Sequence, residues 1–126
     1  DGNQLIDFRY DDITLLGFNR ALGKDGSRRY LLDTSTGDVI ASLPPNIEAA
    51  HFNETPVTWI FRAKSYYGII DEEGNILYED AKDPLTGVTK FRHGFSGGQK
   101  DNKKWGILKS DGTWLVHPAY DYIKLL

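Results

Sequence analysis

The sequence predicts an all-β protein, antiparallel throughout, with about ten short strands in three pseudo-equivalent units. Three observations predict it. The 126 residues include 13 Gly, 7 Tyr, 6 Phe and 3 Trp, a composition that favours turns and aromatic strands over helices. No segment sustains a helical apolar period. Finally, one pattern recurs: Trp105-Gly106-Ile107-Leu108-Lys109-Ser110-Asp111-Gly112 matches Tyr67-Gly68-Ile69-Ile70-Asp71-Glu72-Glu73-Gly74, and "RYLLDTSTG", ending at Gly37, fits with one extra loop residue. The turn glycines Gly37, Gly74 and Gly112 lie 37 and 38 residues apart, and "YDDI" at Tyr10–Ile13 returns as "YDYI" at Tyr120–Ile123, three such periods later. A fixed period of this size marks units that cannot bury their apolar faces alone. The units fall at approximately 10–46, 47–83 and 84–123.

Taken in order, "ITLLGF" reads as the first strand, followed by a polar connection, "NRALGKDGSRR", and a hairpin centred on "TSTGD". Pro44-Pro45 close the first unit, where a missing backbone donor costs least. "NIEAAHF" is the best candidate for one short helical turn. "VTWIFRA" is the next strand, then the hairpin "YYGIIDEEGNILY"; "GVTKF" and "WGILKSDGTWLV" repeat the scheme in the third unit, joined by the connection "RHGFSGGQKDNKK". In each hairpin the glycine supplies the positive φ that a short loop requires, beside Asp, Ser and Asn that tolerate tight turns.

A chain of this length buries about two-thirds of the surface its unfolded form exposes, so it needs no staple. The net charge is −3, with Lys and Arg scattered, which lacks the electrostatic footprint of phosphate-backbone binding and disfavours nucleic acid. No apolar run approaches the ~20 residues that cross a bilayer, so membrane insertion is not expected. With no cysteine there is neither a disulfide framework nor a thiolate metal site. Methionine is absent too. A segment ahead of Asp1 is therefore expected to have been removed, by processing for export or by trimming.

"KKWGILKSDGTWLVHPAYDYI", residues 103–123, resembles the WG, or KWG, repeat: Lys-Trp-Gly, two aliphatics, a polar turn ending in Gly, an apolar strand with Pro, then Tyr-Asp. The second unit keeps Tyr67-Gly68 in place of Trp-Gly and lacks the trailing Tyr-Asp; the first retains Tyr10-Asp11 but has Tyr30-Leu31 at the Trp-Gly position. The resemblance implies a bacterial, β-rich repeat domain without assigned catalysis, found among secreted proteins and immunity proteins of toxin systems, and it favours a periplasmic or secreted location over a cytoplasmic one. Three units suit a β-trefoil-like barrel, whereas the family's variable repeat number suits an open, curved or propeller-like array, the reading adopted here.

Catalysis is not expected. "GFSGG" at Gly94–Gly98 satisfies Gly-x-Ser-x-Gly, with His117 and Asp111 or Asp121 as nominal partners, but a polar loop follows where the nucleophile elbow needs a helix; the string reads as a flexible loop. His51, His93 and His117 are too far apart for metal-ligand spacing, and Asp71-Glu72-Glu73 lacks the alternating oxygen ligands of a calcium loop. No cofactor is implied. "NETP" at Asn53 fits a glycosylation acceptor only in a eukaryotic secretory setting. For Trp105, packing over neighbouring backbone is favoured over a role as a ligand platform.

Two readings remain. One is a protein-binding module, most specifically an immunity or neutralising protein for a bacterial toxin; the other is a carbohydrate or cell-envelope binding domain using exposed aromatics such as Trp59, Trp114 or Tyr66. The first is preferred, with recognition on connections held by the sheet. Arg20, Lys24 and Asp25 of the first unit are expected to face the same region as Lys100, Asp101 and Asn102 of the third, and Asp71-Glu72-Glu73 is the runner-up surface.

Overall fold

The computed structural model describes residues 10–54, 56–80 and 82–125. Among them are twelve strands and no helix: β1 (Asp12–Gly17), β2 (Arg20–Asp25), β3 (Arg28–Asp33), β4 (Val39–Leu43), β5 (Glu48–Asn53), β6 (Thr58–Arg62), β7 (Tyr67–Asp71), β8 (Ile76–Tyr78), β9 (Leu85–Val88), β10 (Phe95–Lys100), β11 (Trp105–Lys109) and β12 (Trp114–Tyr120). All pairings are antiparallel between neighbours. β1-β2-β3-β4 form one sheet; β5 to β12 form another, in which the meander β5-β6-β7-β8 meets β9-β10-β11-β12 at a single pair, Tyr67 with Leu85. The pairing path is open and closes no barrel among the described residues.

The recurring pattern is thus a four-stranded meander, and the hairpins read from sequence are its third and fourth strands. The extra strands come from stretches expected to be connections. "NRALGKDGSRR" contains β2, and "RHGFSGGQKDNKK" contains β10, each the second strand of its meander. Glycine makes these strands look like loops, yet Gly97 and Gly98 are buried and β10 pairs along its length with β11. "NIEAAHF" is likewise strand, β5, held by its ladder to β6; tertiary pairing overrides the local preference of Glu-Ala-Ala for helix.

The core lies between meanders. Leu22, Leu31 and Leu43 of the first cluster with Ile47, Trp59, Phe61 and Ile70 of the second, while Ile60 and Ile69 of the second cluster with Leu85 and Leu108 of the third. Residues alternate faces along a strand, so Trp59 and Phe61 point one way and Ile60 the other. This explains why "TWIF" in β6 is buried without a break: the middle meander is covered on both faces. In β12, at the end of its sheet, half-buried and exposed residues alternate instead.

The turn glycines join the stack. Gly74 has φ +82 and Gly112 φ +92, a region that side chains rarely adopt. A Cβ on Gly74 would collide with Ala41 of the first meander, and one on Gly112 with the Leu77 carbonyl of the second. Each third hairpin tip therefore presses on the fourth strand of the preceding meander, and glycine satisfies both the turn and the close approach.

Candidate interaction surface

Ladder register defines the equivalences. The β2–β3, β6–β7 and β10–β11 pairs align Leu31, Ile69 and Ile107, and align Arg29, Tyr67 and Trp105. Arg29-Tyr30, not Tyr30-Leu31, thus occupies the Trp-Gly position in the first meander. Arg29 is buried there, donating from Nε to the Ile47 carbonyl and pairing with Glu48 at 3.6 Å. Gly106 is required because a Cβ would strike the Val116 carbonyl across a register shift in β12. The Trp105 ring lies over the backbone of Gly87 and Gly97, half-buried on the third meander's outer side.

Each meander has a leading face, toward the meander before it in sequence, and a trailing face, toward the one after. On the trailing face of the third, Ile107 and Val116 occupy the positions of Ile69 and Tyr78, and Tyr120 pairs with Trp105 as Leu43 pairs with Arg29. Leu43 is 8% exposed but Tyr120 is 55% and Tyr122 75% exposed. A groove of about 370 Å³ runs between Ile107, Val116, Tyr120, Tyr122, Ile123 and Lys124. The signal for this surface was the return of "YDDI" as "YDYI", which marks the end of the last unit as the place where another would begin.

The expected partner residues separate. Asp25 lies at the β2–β3 tip and Asp101 and Asn102 at the equivalent β10–β11 tip, all exposed. Arg20 sits at the opposite end of β2, where Nε donates to the Glu72 carbonyl at 2.7 Å and the guanidinium approaches Asp33 at 3.9 Å. Lys24 is engaged by Glu48 at 2.6 Å and by Asp12 at 3.9 Å. Lys100 is buried, its side chain 7% exposed: it contacts Asp80 at 3.1 Å, donates to the Asp83 carbonyl, and lies 5.4 Å and 5.9 Å from the Tyr78 and Trp114 ring centres. Burial alone would lower the Lys100 amine, but Tyr78 and Asp80 outweigh it and hold its pKa above the ordinary lysine value. Arg20, Lys24 and Lys100 thus join neighbouring parts of the chain, whereas Asp25, Asp101 and Asn102 are presented outward. At the runner-up surface, the Asp71 carboxylate accepts from Asn75 and Glu73 within its own turn, leaving Glu72 and Glu73 exposed.

The nucleophile-elbow string is neither an elbow nor a flexible loop. Ser96 is 0% exposed in the middle of a sheet, and its hydroxyl donates to the Thr89 carbonyl at 2.8 Å. His117 and Asp111 do not approach it in any hydrogen bond: the Asp111 carboxylate accepts from Thr113, which lowers its pKa, and the His117 ring stacks near Trp114 at 6.4 Å. Burial lowers the His51 pKa, with Lys90 adding to the effect. Among the described residues no three His, Asp or Glu side chains gather as metal ligands, and no helix is long and apolar enough to cross a membrane.

Comparison with known proteins bears on family and fold. Residues 105–125 match the model of the family described as WG containing repeat. No curated protein matches the chain. Among solved structures, the chain is similar to the computationally designed Ika4 protein, with a TM-score of 0.55 and 15% identity over 96% of this chain and 82% of that one. It is also similar to the computationally designed Ika8 protein, with a TM-score of 0.52 and 14% identity over 86% of this chain; it spans 38% of Ika8. At such identities the likeness concerns the fold alone. Residues 105–125, strands β11 and β12 with the segment after them, thus carry the likeness to the WG containing repeat, within an antiparallel all-β chain whose three meanders share one strand order.

Proposed function

We propose that this chain is a non-enzymatic protein-binding module built as an open, propeller-like array of three meanders, and that its most specific form is an immunity or neutralising protein for a bacterial toxin. One observation carries the reading: the stack buries its apolar residues between meanders and sends equivalent, exposed second-to-third strand tips toward solvent. These are Asp25 to Arg28 in the first meander, Lys64 and Ser65 in the second, and Asp101 to Lys103 in the third. Such tips vary at little cost to the core, and their mixed charge suits steering and register against a protein surface. Lys24 and Lys100 support the tips from behind through their ion pairs. The aromatics named for carbohydrate binding make no shared platform: Trp59 is 2% exposed, Tyr66 is hydrogen-bonded to Glu79, and Trp114 packs edge-on against Tyr78.

The test is a pull-down of the tagged chain against candidate toxins or effectors, repeated with Asp25→Lys, Lys64→Glu and Asp101→Lys combined. Binding lost with an unchanged urea midpoint supports the tips. Binding that survives this change but disappears on replacing Glu72 and Glu73 moves recognition to the acidic hairpin, and a partner turned over chemically by the chain overturns the non-enzymatic reading.

A further inference from the structure

Each second-to-third strand tip borders a cleft. At the first tip a cleft of about 270 Å³ lies against Tyr10, Tyr30 and Val39 and has Asp25 and Arg28 in its wall. At the third, a cleft of about 430 Å³ takes in Asn102 and is walled by Asp80, Asp83, Lys100, Trp114 and His117. At the second tip, where the second meander passes into the third, a socket of about 280 Å³ is walled by Ser65, Tyr66, Glu79, Asp80 and Pro84. All three set an aromatic ring beside a carboxylate, but the first and third also hold an Arg or Lys of the chain itself. Among the described residues the wall of the socket holds none: Lys64 and Lys82 are exposed and stand outside it.

The groups in the socket suit a cation. Tyr66 is half-buried, its ring edge-on to Phe61 at 6.0 Å, and its hydroxyl donates to Glu79 Oε2 at 3.0 Å. Burial first, and then the Glu79 carboxylate, raise the Tyr66 pKa, so the phenol remains a donor at neutral pH. Glu79 is exposed, and its Oε1 meets no donor among the described residues. The Asp80 carboxylate is taken: Oδ1 accepts from the Lys82 and Asp83 amides and Oδ2 from Lys100. On the far side of Asp80 the chain shows what such a setting holds, since the Lys100 ammonium meets that carboxylate and lies 5.4 Å and 5.9 Å from the Tyr78 and Trp114 ring centres.

We propose that the socket receives a basic side chain of the partner protein, an arginine before a lysine. A guanidinium bonds Glu79 Oε1 along one edge and lays its weakly hydrated face on the Tyr66 ring, which a compact, strongly hydrated ammonium does less well. Asp80 is balanced by Lys100, so Glu79 carries the attraction. The inference rests on the protein-binding reading, because it names the partner's chemistry at the tip formed by Lys64 and Ser65.

The test is an NMR titration of the isotope-labelled whole chain with Nα-acetyl-arginine amide. The Tyr66 ring and Ser65 amide signals are expected to shift saturably, with a Kd in the millimolar range that suits a single side chain. Nα-acetyl-citrulline amide, similar in shape but uncharged, binds at least about fivefold more weakly. Glu79→Gln, at an exposed position, weakens arginine binding as much, and so does Tyr66→Leu, which removes the ring. Asp101→Lys, at the neighbouring tip and outside the wall, leaves it unchanged. Four outcomes overturn the inference: no saturable shift; citrulline amide binding as well as arginine amide; a loss on Asp101→Lys as large as on Glu79→Gln, the mark of unspecific charge attraction; or tighter binding of a disaccharide such as cellobiose at the same signals. The two readings fail separately: a flat arginine titration overturns the socket whatever the pull-down captures, and an empty pull-down refutes the binding module even where the titration saturates.

Discussion

Replacing Lys100 by Met removes a charge from the junction of the second and third meanders while keeping most of the side-chain volume. The ammonium contacts Asp80 at 3.1 Å and donates to the Asp83 carbonyl, and it lies within 6 Å of the Tyr78 and Trp114 ring centres. A hydrogen bond to a charged group contributes about 1.5–3 kcal/mol, and a partly desolvated cation–π contact about 1 kcal/mol. Against these stands the desolvation of a side chain only 7% exposed, several kcal/mol that Met avoids. Met also regains a sulfur–aromatic contact of about 0.5–1 kcal/mol. The net expectation is a loss of about 2 kcal/mol, or roughly 1 M in the urea midpoint for a slope near 2 kcal/mol/M. The pH profile identifies the cause. The folded Lys100 pKa is raised, so its contribution is present below its ordinary value of 10.5 and lost as pH rises through the folded value. The folded Asp80 pKa is lowered by hydrogen bonds from the Asp83 backbone and from Lys100, so its contribution is present above 3.8 and lost as pH falls through the folded value. The difference between wild type and variant is therefore flat around neutrality and shrinks toward both extremes. A Met variant as stable as the wild type at pH 7, or a difference that does not change at high pH, refutes the reasoning.

The other expectations rest on the same packing. Gly112→Ala costs about 2–4 kcal/mol in chemical denaturation, since backbone strain adds to a collision with the Leu77 carbonyl, while Gly26→Ala, at φ +61 with nothing within 4 Å of an added Cβ, costs about 1 kcal/mol from strain alone. Gly98→Ala is not benign: its Cβ would lie 2.9 Å from the Trp114 ring and 3.0 Å from Leu85, and a loss of about 1–3 kcal/mol is expected. Ser96→Ala loses one buried hydrogen bond, about 1 kcal/mol, and a fluorophosphonate probe leaves Ser96 unlabelled in mass spectrometry. Reversing Lys24 and Lys100 together lowers the melting temperature, because both amines are committed to ion pairs; an unchanged melting temperature would place them on the free surface.

What the sequence determined by itself was local and periodic. Composition set the all-β class, and the spacing of Gly37, Gly74 and Gly112 set the period, because a turn needing positive φ accepts few residues but glycine. The Trp-Gly pattern at Trp105 and Gly106 marked a strand beside a backbone that approaches too closely for a side chain. Tertiary structure decided the rest. The "ALG" and "FSGG" stretches became strands because neighbouring ladders and rings press on their glycines, a contact no local propensity records. Glu48-Ala49-Ala50 became strand rather than helix for the same reason. Lys24 and Lys100 looked like free loop charges in the sequence; burial between meanders made them clasps, since an amine removed from water requires a carboxylate or carbonyl beside it. Whether a face was core or surface also depended on the stack. Ile69 and Ile107 are equivalent in sequence and register, but the third meander covers the first of them, and the described chain supplies no fourth to cover the other.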